Sequence, residues 1–531
     1  MKLTKTRSLG LILSLLVLVI YSCSKYYINH NFRQNYSNAN EIIQRDSIQV
    51  PFFKIHFKNG DVSIIENWYL NKNNDSLIGE GKLYNFNRNQ IREGDLSFSI
   101  DDIAIVETNQ LEAIKSKDKD RIAALSILTG ANVILDIVCI TNPKACFGSC
   151  PTFYLEGDSN IHLARAEGFS SSIAPSLERQ DIDALKKSTS AKEFFITMKN
   201  EAFETHMINE LLLYAVPKSD KENIYQDKNN TFYNCGELYN SKIAKVGDKE
   251  IGHTLNKIDE IEYFSFTDAN ELAAKEALIL EFDKVSDQNL GVVINFRQTL
   301  LTTYLLYTGI SYMGNEVGDY FAKIETNKQI KKKLENPFKR LGKIELSVWN
   351  YELKKWILFD QLYETGPIAK NLMIAPIPDM KQKNETVKIK VEMSKGLWRL
   401  DYLGLTNINS IVKPLVISPA TLNVINGENY TVEEIKFDDH KYLISFPGNE
   451  YQFKFELPEV KNSDEYELFL SSKGYYLEWI RQDWIREKNL SKLKKMLLND
   501  ANTWLELAQE FKSMEHDMET VFWNSKYSNI N

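Results

Sequence analysis

Residues 451–457 read Tyr-Gln-Phe-Lys-Phe-Glu-Leu, so apolar and polar side chains alternate at every step. A period of two is typical of a β-strand that turns one face to a core and the other to solvent. The same alternation, or a short apolar run between turn residues, predicts strands at residues 52–57, 62–70, 103–106, 152–155, 194–198, 211–216, 344–349, 356–359, 387–391 and 397–402. The sequence therefore predicts a mainly β fold, with a small barrel or roll and two β-sandwich-like regions.

The pattern changes near the C-terminus. Leu477, Ile480 and Trp484 fall at helical spacing, and apolar residues continue at that spacing as far as Phe522. We therefore predict a helical C-terminal tail whose apolar face packs on another part of the protein.

Residues 121–140 form a mostly apolar stretch that approaches the length of a membrane-spanning helix. Asn132 and Asp136 lie in the middle of it, where a charge would be costly in a bilayer. This favours a buried helix over a second membrane anchor.

These patterns divide the chain into consecutive segments. They are a signal peptide (1–22), a tether (23–45), a small β domain (46–112), an apolar helical segment (113–145), a β-sandwich-like domain (146–285), a second β-sandwich-like domain (286–462) and the helical tail (463–531).

The composition is that of a folded chain, because 43% of its 531 residues are hydrophobic and 26% are charged. This excludes an intrinsically disordered or collagen-like protein. The formal net charge is −8 at pH 7, and no stripe of lysine and arginine is visible. We therefore expect no nucleic-acid partner.

The N-terminus has the organisation of an export signal. Basic residues up to Arg7 precede an apolar run from Leu9 to Ile20, which is too short for an ordinary membrane-spanning helix. The run ends in Ile20-Tyr21-Ser22-Cys23, which resembles the lipobox of bacterial lipoproteins. The resemblance implies cleavage before Cys23, acylation of that cysteine, with palmitate among the acyl chains, and a lipid anchor in a membrane. The alternative is an ordinary secretory peptide with an incidental cysteine.

No acidic cluster follows Cys23, where the sequence continues Ser-Lys-Tyr-Tyr-Ile-Asn. In lipoproteins of the Bacteroidetes type, an acidic run at this place resembles a surface-export signal. Its absence favours the periplasmic face of the outer membrane.

Four further cysteines, Cys139, Cys146, Cys150 and Cys235, are disulfide candidates in an oxidising compartment. Cys146 and Cys150 could close a small loop, while the other two could form a second bridge or remain buried thiols. The alternative is a copper or thiol-redox site, because Cys-x-x-x-Cys-Pro resembles the copper-binding motif of the Sco family. That family places a helix after Cys-Pro, whereas Pro151 here opens a predicted strand. We therefore expect neither a metal nor a cofactor.

No catalytic residue can be assigned from the sequence. A Gly-x-Ser-x-Gly elbow, a phosphate-binding glycine loop and the paired histidines of a zinc hydrolase are all missing. The carboxylates of a glycosidase cannot be selected from 72 acidic residues without geometry. Trp349, Trp356 and Trp398 could stack on sugars if they are exposed, or fill the core if they are buried.

Several segments together resemble a module of uncharacterised Bacteroidetes-type outer-membrane lipoproteins. They are residues 149–154, beginning Ser-Cys-Pro, and residues 167–169, 174–181 and 200–202. The resemblance implies an envelope location and a β-sandwich fold, but no activity. We therefore expect a non-catalytic lipoprotein that binds or scaffolds an envelope protein or glycan. The alternatives are a hydrolase of envelope polysaccharide or peptide, and the copper or thiol-redox protein.

Overall fold

The computed structural model describes residues 27–28, 53–57, 61–71, 76–85, 90–107, 111–112, 150–156, 164–202, 204–283, 289–317, 320–321, 329, 332–333, 335–363, 366–378, 386–439, 441–460, 464–478, 484 and 487–524. The chain divides into two units, residues 1–143 with 480–486, and residues 144–479 with 487–531. The described residues include none of the predicted signal peptide and none of the predicted apolar helical segment. Of the predicted tether they include only residues 27–28. Within the described part, no helix has the length and apolar character needed to cross a membrane.

The first unit contains a five-stranded antiparallel sheet, in the order β5-β4-β3-β2-β6, and a two-stranded pair of β1 with β7. Its strands are β1 (Tyr27–Ile28), β2 (Phe53–Phe57), β3 (Val62–Asn71), β4 (Ser76–Tyr84), β5 (Gln90–Ser99), β6 (Ile103–Glu107) and β7 (Leu111–Glu112). Ile55, Leu77 and Phe98 pack together on one face of the sheet. Strands β2 to β6 therefore form an open sheet, and the closed barrel of the described part of the chain lies in the second unit.

The second unit holds the remaining strands. They are β8 (Thr152–Leu155), β9 (Ala166–Glu167), β10 (Arg179–Thr189), β11 (Glu193–Lys199), β12 (Glu204–Lys218), β13 (Asn223–Gln226), β14 (Phe232–Asn240), β15 (Ile243–Val246), β16 (Lys249–Glu250), β17 (Lys275–Asp283), β18 (Leu290–Gln298), β19 (Ile344–Asn350), β20 (Lys355–Leu362), β21 (Asn371–Pro376), β22 (Thr386–Ser394), β23 (Trp398–Val412), β24 (Leu415–Ile417), β25 (Thr421–Asn426), β26 (Leu443–Ser445), β27 (Glu450–Glu456) and β28 (Glu465–Glu478).

Two of its sheets form a β-sandwich. The first has the order β10-β28-β12-β24, with β26 also paired to β12, and the second has the order β25-β27-β11-β8-β9. Side chains from both sheets, including Ile196, Phe453, Leu213 and Leu468, meet in one buried cluster. The alternation read from residues 451–457 places Tyr451, Phe453 and Phe455 in this core, as expected for a strand with one buried face.

The other strands build a closed five-stranded barrel, β13-β14-β23-β18-β21, and a six-stranded sheet, β16-β15-β17-β22-β19-β20. Helices accompany them at Gly252–Leu255, Leu301–Met313, Asn336–Leu341, Leu490–Leu497 and Ala501–Asn524. The mainly β fold, with a small barrel, several sheets and C-terminal helices, agrees with the prediction from sequence.

The predicted boundary at residue 285 does not match the strand pairing. In the sandwich, β11 pairs with β27 and β12 with β28, and in the barrel β14 pairs with β23. Each of these pairs joins strands from opposite sides of residue 285. The sequence shows where strands occur, but alternation carries no information about pairing over such distances.

The predicted helical tail from residue 463 also needs correction. Residues 465–478 form β28, and the described helices of the tail run over Leu490–Leu497 and Ala501–Asn524. Because β28 lies between β10 and β12 and is buried on both faces, Tyr475, Tyr476 and Leu477 are all buried. A strand buried on both faces has no alternation, so its apolar residues can be read at helical spacing.

The helix over Leu301–Met313 lies in a region that the sequence assigned to a β domain. Its buried positions include Tyr304, Leu305, Tyr307 and Ile310. A helix that is apolar around its whole circumference has no polar stripe to reveal its period.

Candidate functional site

The six-stranded sheet has one core face and one open face. Leu278, Leu280, Ile389, Val391 and Leu346 lie on the core face and are fully buried. Because side chains alternate along a strand, the intervening residues of β17, β22 and β19 point the other way.

Two tryptophans lie opposite each other on the open face. Trp349 of β19 pairs directly with Trp356 of β20, and their ring centroids are 5.3 Å apart at an interplanar angle of 68°. Both side chains are half-buried, and Leu358, further along β20, is 51% exposed. We call Trp349, Trp356 and Leu358, with the neighbouring Lys388 and Lys390, the tryptophan face. Trp398, which was also a candidate for stacking on sugars, is instead buried and packs on Phe296.

The lysines of the tryptophan face have acidic neighbours. Lys388 donates to Glu281 at 2.6 Å, and Lys390 donates to Glu392 at 3.2 Å while its Nζ lies 5.9 Å from the Trp356 ring centroid. The hydrogen bond to Glu281 raises the pKa of Lys388. Because the charges are paired, stacking and hydrogen bonding are the main interactions that this face offers a ligand.

A second group of polar residues is buried at one end of the barrel. Arg297 of β18 donates two hydrogen bonds of 2.7 Å to the carboxylate of Glu262 and a third, of 2.8 Å, to the carbonyl of Pro367. Arg399 of β23 donates to Glu519 at 2.7 Å. Although burial opposes the ionised form, Arg297 and the nearby Lys370 and Arg399 hold the pKa of Glu262 below its usual value. The mutual pairing of these groups is typical of a structural ion network.

Lys186 lies beside this network. It sits at a register shift between β10 and β28 and has a positive φ of 52°. Burial, with an added contribution from Lys370, lowers the pKa of Lys186 to about 7, although Asp401 and Asp183 act in the opposite direction. The ammonium group is therefore poorly compensated at this position.

Three carboxylates approach one another on the first sandwich sheet. Asn209 donates to Glu178 at 3.0 Å and to Asp438 at 2.8 Å, so these two carboxylate oxygens are less than about 6 Å apart. Burial and the charge of Asp438 raise the pKa of Glu210, the next residue of β12. A carboxyl group with a raised pKa near a second carboxyl group is a feature of glycosidase sites. The sequence could not indicate this grouping, because Glu178 and Asp438 come from distant parts of the chain.

The cysteines that the structure describes are buried thiols. Cys150 belongs to the sandwich core and Cys235 to the barrel, and neither is in a disulfide. Burial raises the pKa of Cys150 and raises that of Cys235 to about 12, which disfavours the thiolate that copper binding or redox chemistry requires. Cys23, Cys139 and Cys146 lie outside the described residues, so acylation of Cys23 stays a prediction. The predicted Cys146–Cys150 bridge is not formed in this structure, because Cys150 is a free thiol.

Comparison with known proteins adds no family. No protein-family model matches the chain, and no curated protein matches it. Among solved structures, a β-porphyranase of glycoside hydrolase family 86 from the human gut bacterium Bacteroides plebeius is 8% identical with a TM-score of 0.16, covering 45% of this chain and 36% of that one. A GH31 α-xylosidase from Xanthomonas citri is 8% identical with a TM-score of 0.14, covering 81% of this chain and 37% of that one. The chain thus spans little more than a third of either protein, and similarity at this level carries no argument about function.

Proposed function

We propose that this protein is a non-catalytic lipoprotein, anchored through Cys23 to the periplasmic face of an outer membrane, that binds an envelope glycan through the tryptophan face. The observation that carries the proposal is the position of Trp349 and Trp356 on the open face of a sheet whose other face is core. An aromatic ring that is accessible on a sheet can stack on the apolar face of a sugar, and neighbouring charged pairs can hydrogen-bond its hydroxyl groups. An envelope protein that docks through aromatic anchors is the other partner class that this face suits.

Replacing Trp349 and Trp356 together by alanine is expected to weaken glycan binding at least about tenfold, because it removes the stacking surface. Binding would be measured by calorimetry and by pull-down with purified peptidoglycan sacculi and with an uncharged β-glucan. Tyr69→Ala, at a 57% exposed aromatic residue of the first unit, is the matched control and should bind as the unaltered chain does. Equal binding by the double variant would contradict the proposed site.

A hydrolase is the second candidate, and the grouping of Glu178, Asp438 and Glu210 is the observation that favours it. The binding proposal predicts that the same glycans are recovered uncut. Release of new reducing ends that disappears in Glu178→Gln and in Glu210→Gln would replace the proposal by this candidate.

The anchor is tested separately. Cys23→Ala should abolish incorporation of an alkynyl fatty acid and move the protein from the membrane to the soluble fraction, because the acyl chains provide the membrane affinity. If the label and the membrane association both persist in this variant, acylation at Cys23 is excluded.

A further inference from the structure

Residues 414–427 read Pro-Leu-Val-Ile-Ser-Pro-Ala-Thr-Leu-Asn-Val-Ile-Asn-Gly and contain no charged residue, in a chain that is 26% charged. This stretch, which we call the edge segment, forms β24 and then β25. In the described part of the chain, β24 is at the edge of one sandwich sheet and β25 is at the edge of the other. One uncharged segment thus supplies an outer strand to each sheet.

The edge segment also exposes apolar side chains. Leu415, Val416 and Ile425 are 41%, 58% and 52% exposed, while Leu422 and Val424 are partly buried against the sandwich core. The outer strand of a sheet presents unpaired backbone groups that can template another strand, and natural proteins usually protect such edges with charges. The opposite edge of the first sandwich sheet, β10, has this protection, with the sequence Arg-Gln-Asp-Ile-Asp-Ala-Leu-Lys-Lys-Ser-Thr. β25 lacks it.

We propose that β25 pairs antiparallel with β25 of a second copy of this chain, across a two-fold axis. Residues that lie opposite each other in an antiparallel pair point to the same face of the sheet. With the axis at Asn423, Asn423 meets its own counterpart on the open face, and Leu422 of one copy meets Val424 of the other on the core face. A register shift after Val424 in the pairing with β27 limits the regular edge to Thr421–Val424.

Self-pairing fits this edge for an electrostatic reason. A two-fold axis brings a strand against itself, so any charged residue near the axis would face a like charge, which destabilises the pair. The edge segment has none. The contact would join the two five-stranded sheets of the copies into one continuous sheet, in which the polar Asn423 amides can bond to each other and the apolar Leu422 and Val424 are covered.

The proposal is tested with the full-length chain in its native membrane. Paired residues have Cα atoms about 4.5 to 5.5 Å apart, which is within reach of a disulfide. Asn423→Cys is therefore expected to give a reducible covalent dimer, well above the background of the unaltered chain. Ser97→Cys, at an exposed position of the edge strand β5, is the matched control and should stay at background.

A second variant removes dependence on oxidation. Asn423→Lys places two ammonium groups across the axis and should raise the dimer dissociation constant at least tenfold in detergent sedimentation. At concentrations where both chains are monomeric, the melting temperature should be unchanged, because Asn423 is exposed. Ser97→Lys should leave the dimer intact. A monomer for the unaltered chain, equal crosslinking at the two cysteine positions, or a dimer that Asn423→Lys leaves unaffected would each overturn the proposal.

Discussion

Replacing Arg297 by methionine is expected to lower the free energy of unfolding by about 3 to 5 kcal/mol, because it leaves the carboxylate of Glu262 buried without its main partner. Arg297 contributes both hydrogen bonds of 2.7 Å to that carboxylate, and only 10% and 8% of the two side chains are exposed. The carbonyl of Pro367 also loses its donor. The remaining neighbours of Glu262 are less favourably placed, since Lys370 and Arg399 lie 3.8 and 3.7 Å away.

Chemical denaturation of the variant and the unaltered chain measures this difference. The relevant transition is that of the second unit, which contains both Arg297 and Glu262. The difference should shrink below about pH 5, because protonation of Glu262 in the variant removes the uncompensated charge. Lys454→Met removes a partly exposed lysine that pairs with the exposed Glu193 and Glu456, and this control should change nothing measurable. If Arg297→Met lowers the free energy of unfolding no more than Lys454→Met does, the ion network does not stabilise a buried charge at Glu262.

Lys186→Met is expected to act in the opposite direction and raise the free energy of unfolding by roughly 3 kcal/mol at pH 7. The native pKa of about 7 lies below the ordinary value of lysine, so the folded chain binds fewer protons than the unfolded chain between about pH 7 and 10. Stability of the unaltered protein should therefore rise with pH through this window, since only the unfolded state then carries the extra proton. Methionine has a similar volume and no charge. The variant therefore loses both the free-energy cost of burying the ammonium group and the rise of stability with pH.

The measurement is a series of unfolding curves from pH 6 to 10 for the unaltered chain and the variant. Lys187→Met, at the exposed neighbouring position, should retain the slope of the unaltered chain. A lower stability for Lys186→Met at pH 7 would show that Lys186 makes a favourable ion pair in the native state, contrary to its lowered pKa.

Individual strands could be predicted from the sequence wherever one face is buried. Residues 194–198 and 451–457 alternate, and in the structure β11 and β27 pair with each other, Phe194 opposite Phe455. Their partnership could not be predicted, because alternation is a local property and the two strands are more than 250 residues apart. The same reason explains the wrong boundary at residue 285.

Only part of the tryptophan face could be predicted from the sequence. The sequence predicts the strands that carry Trp349 and Trp356, but only the sheet order shows that the pair lies on an open face, and only the structure shows that Trp398 is core. The grouping of Glu178 with Asp438 and the pairing of Arg297 with Glu262 depend on tertiary contacts that leave no local pattern.

The position of β28 in the sandwich determines when the fold can be completed. This strand fills the space between β10 and β12, yet it comes from residues 465–478, almost 250 residues after β12 ends. While the chain is being made, the neighbouring sides of β10 and β12 stay unpaired until most of the protein has emerged. Contacts of such high sequence separation make folding slow and leave strand edges open to aggregation. The sandwich is therefore expected to form only when nearly the whole chain is available, so a chaperone that holds the unfinished chain should increase its yield.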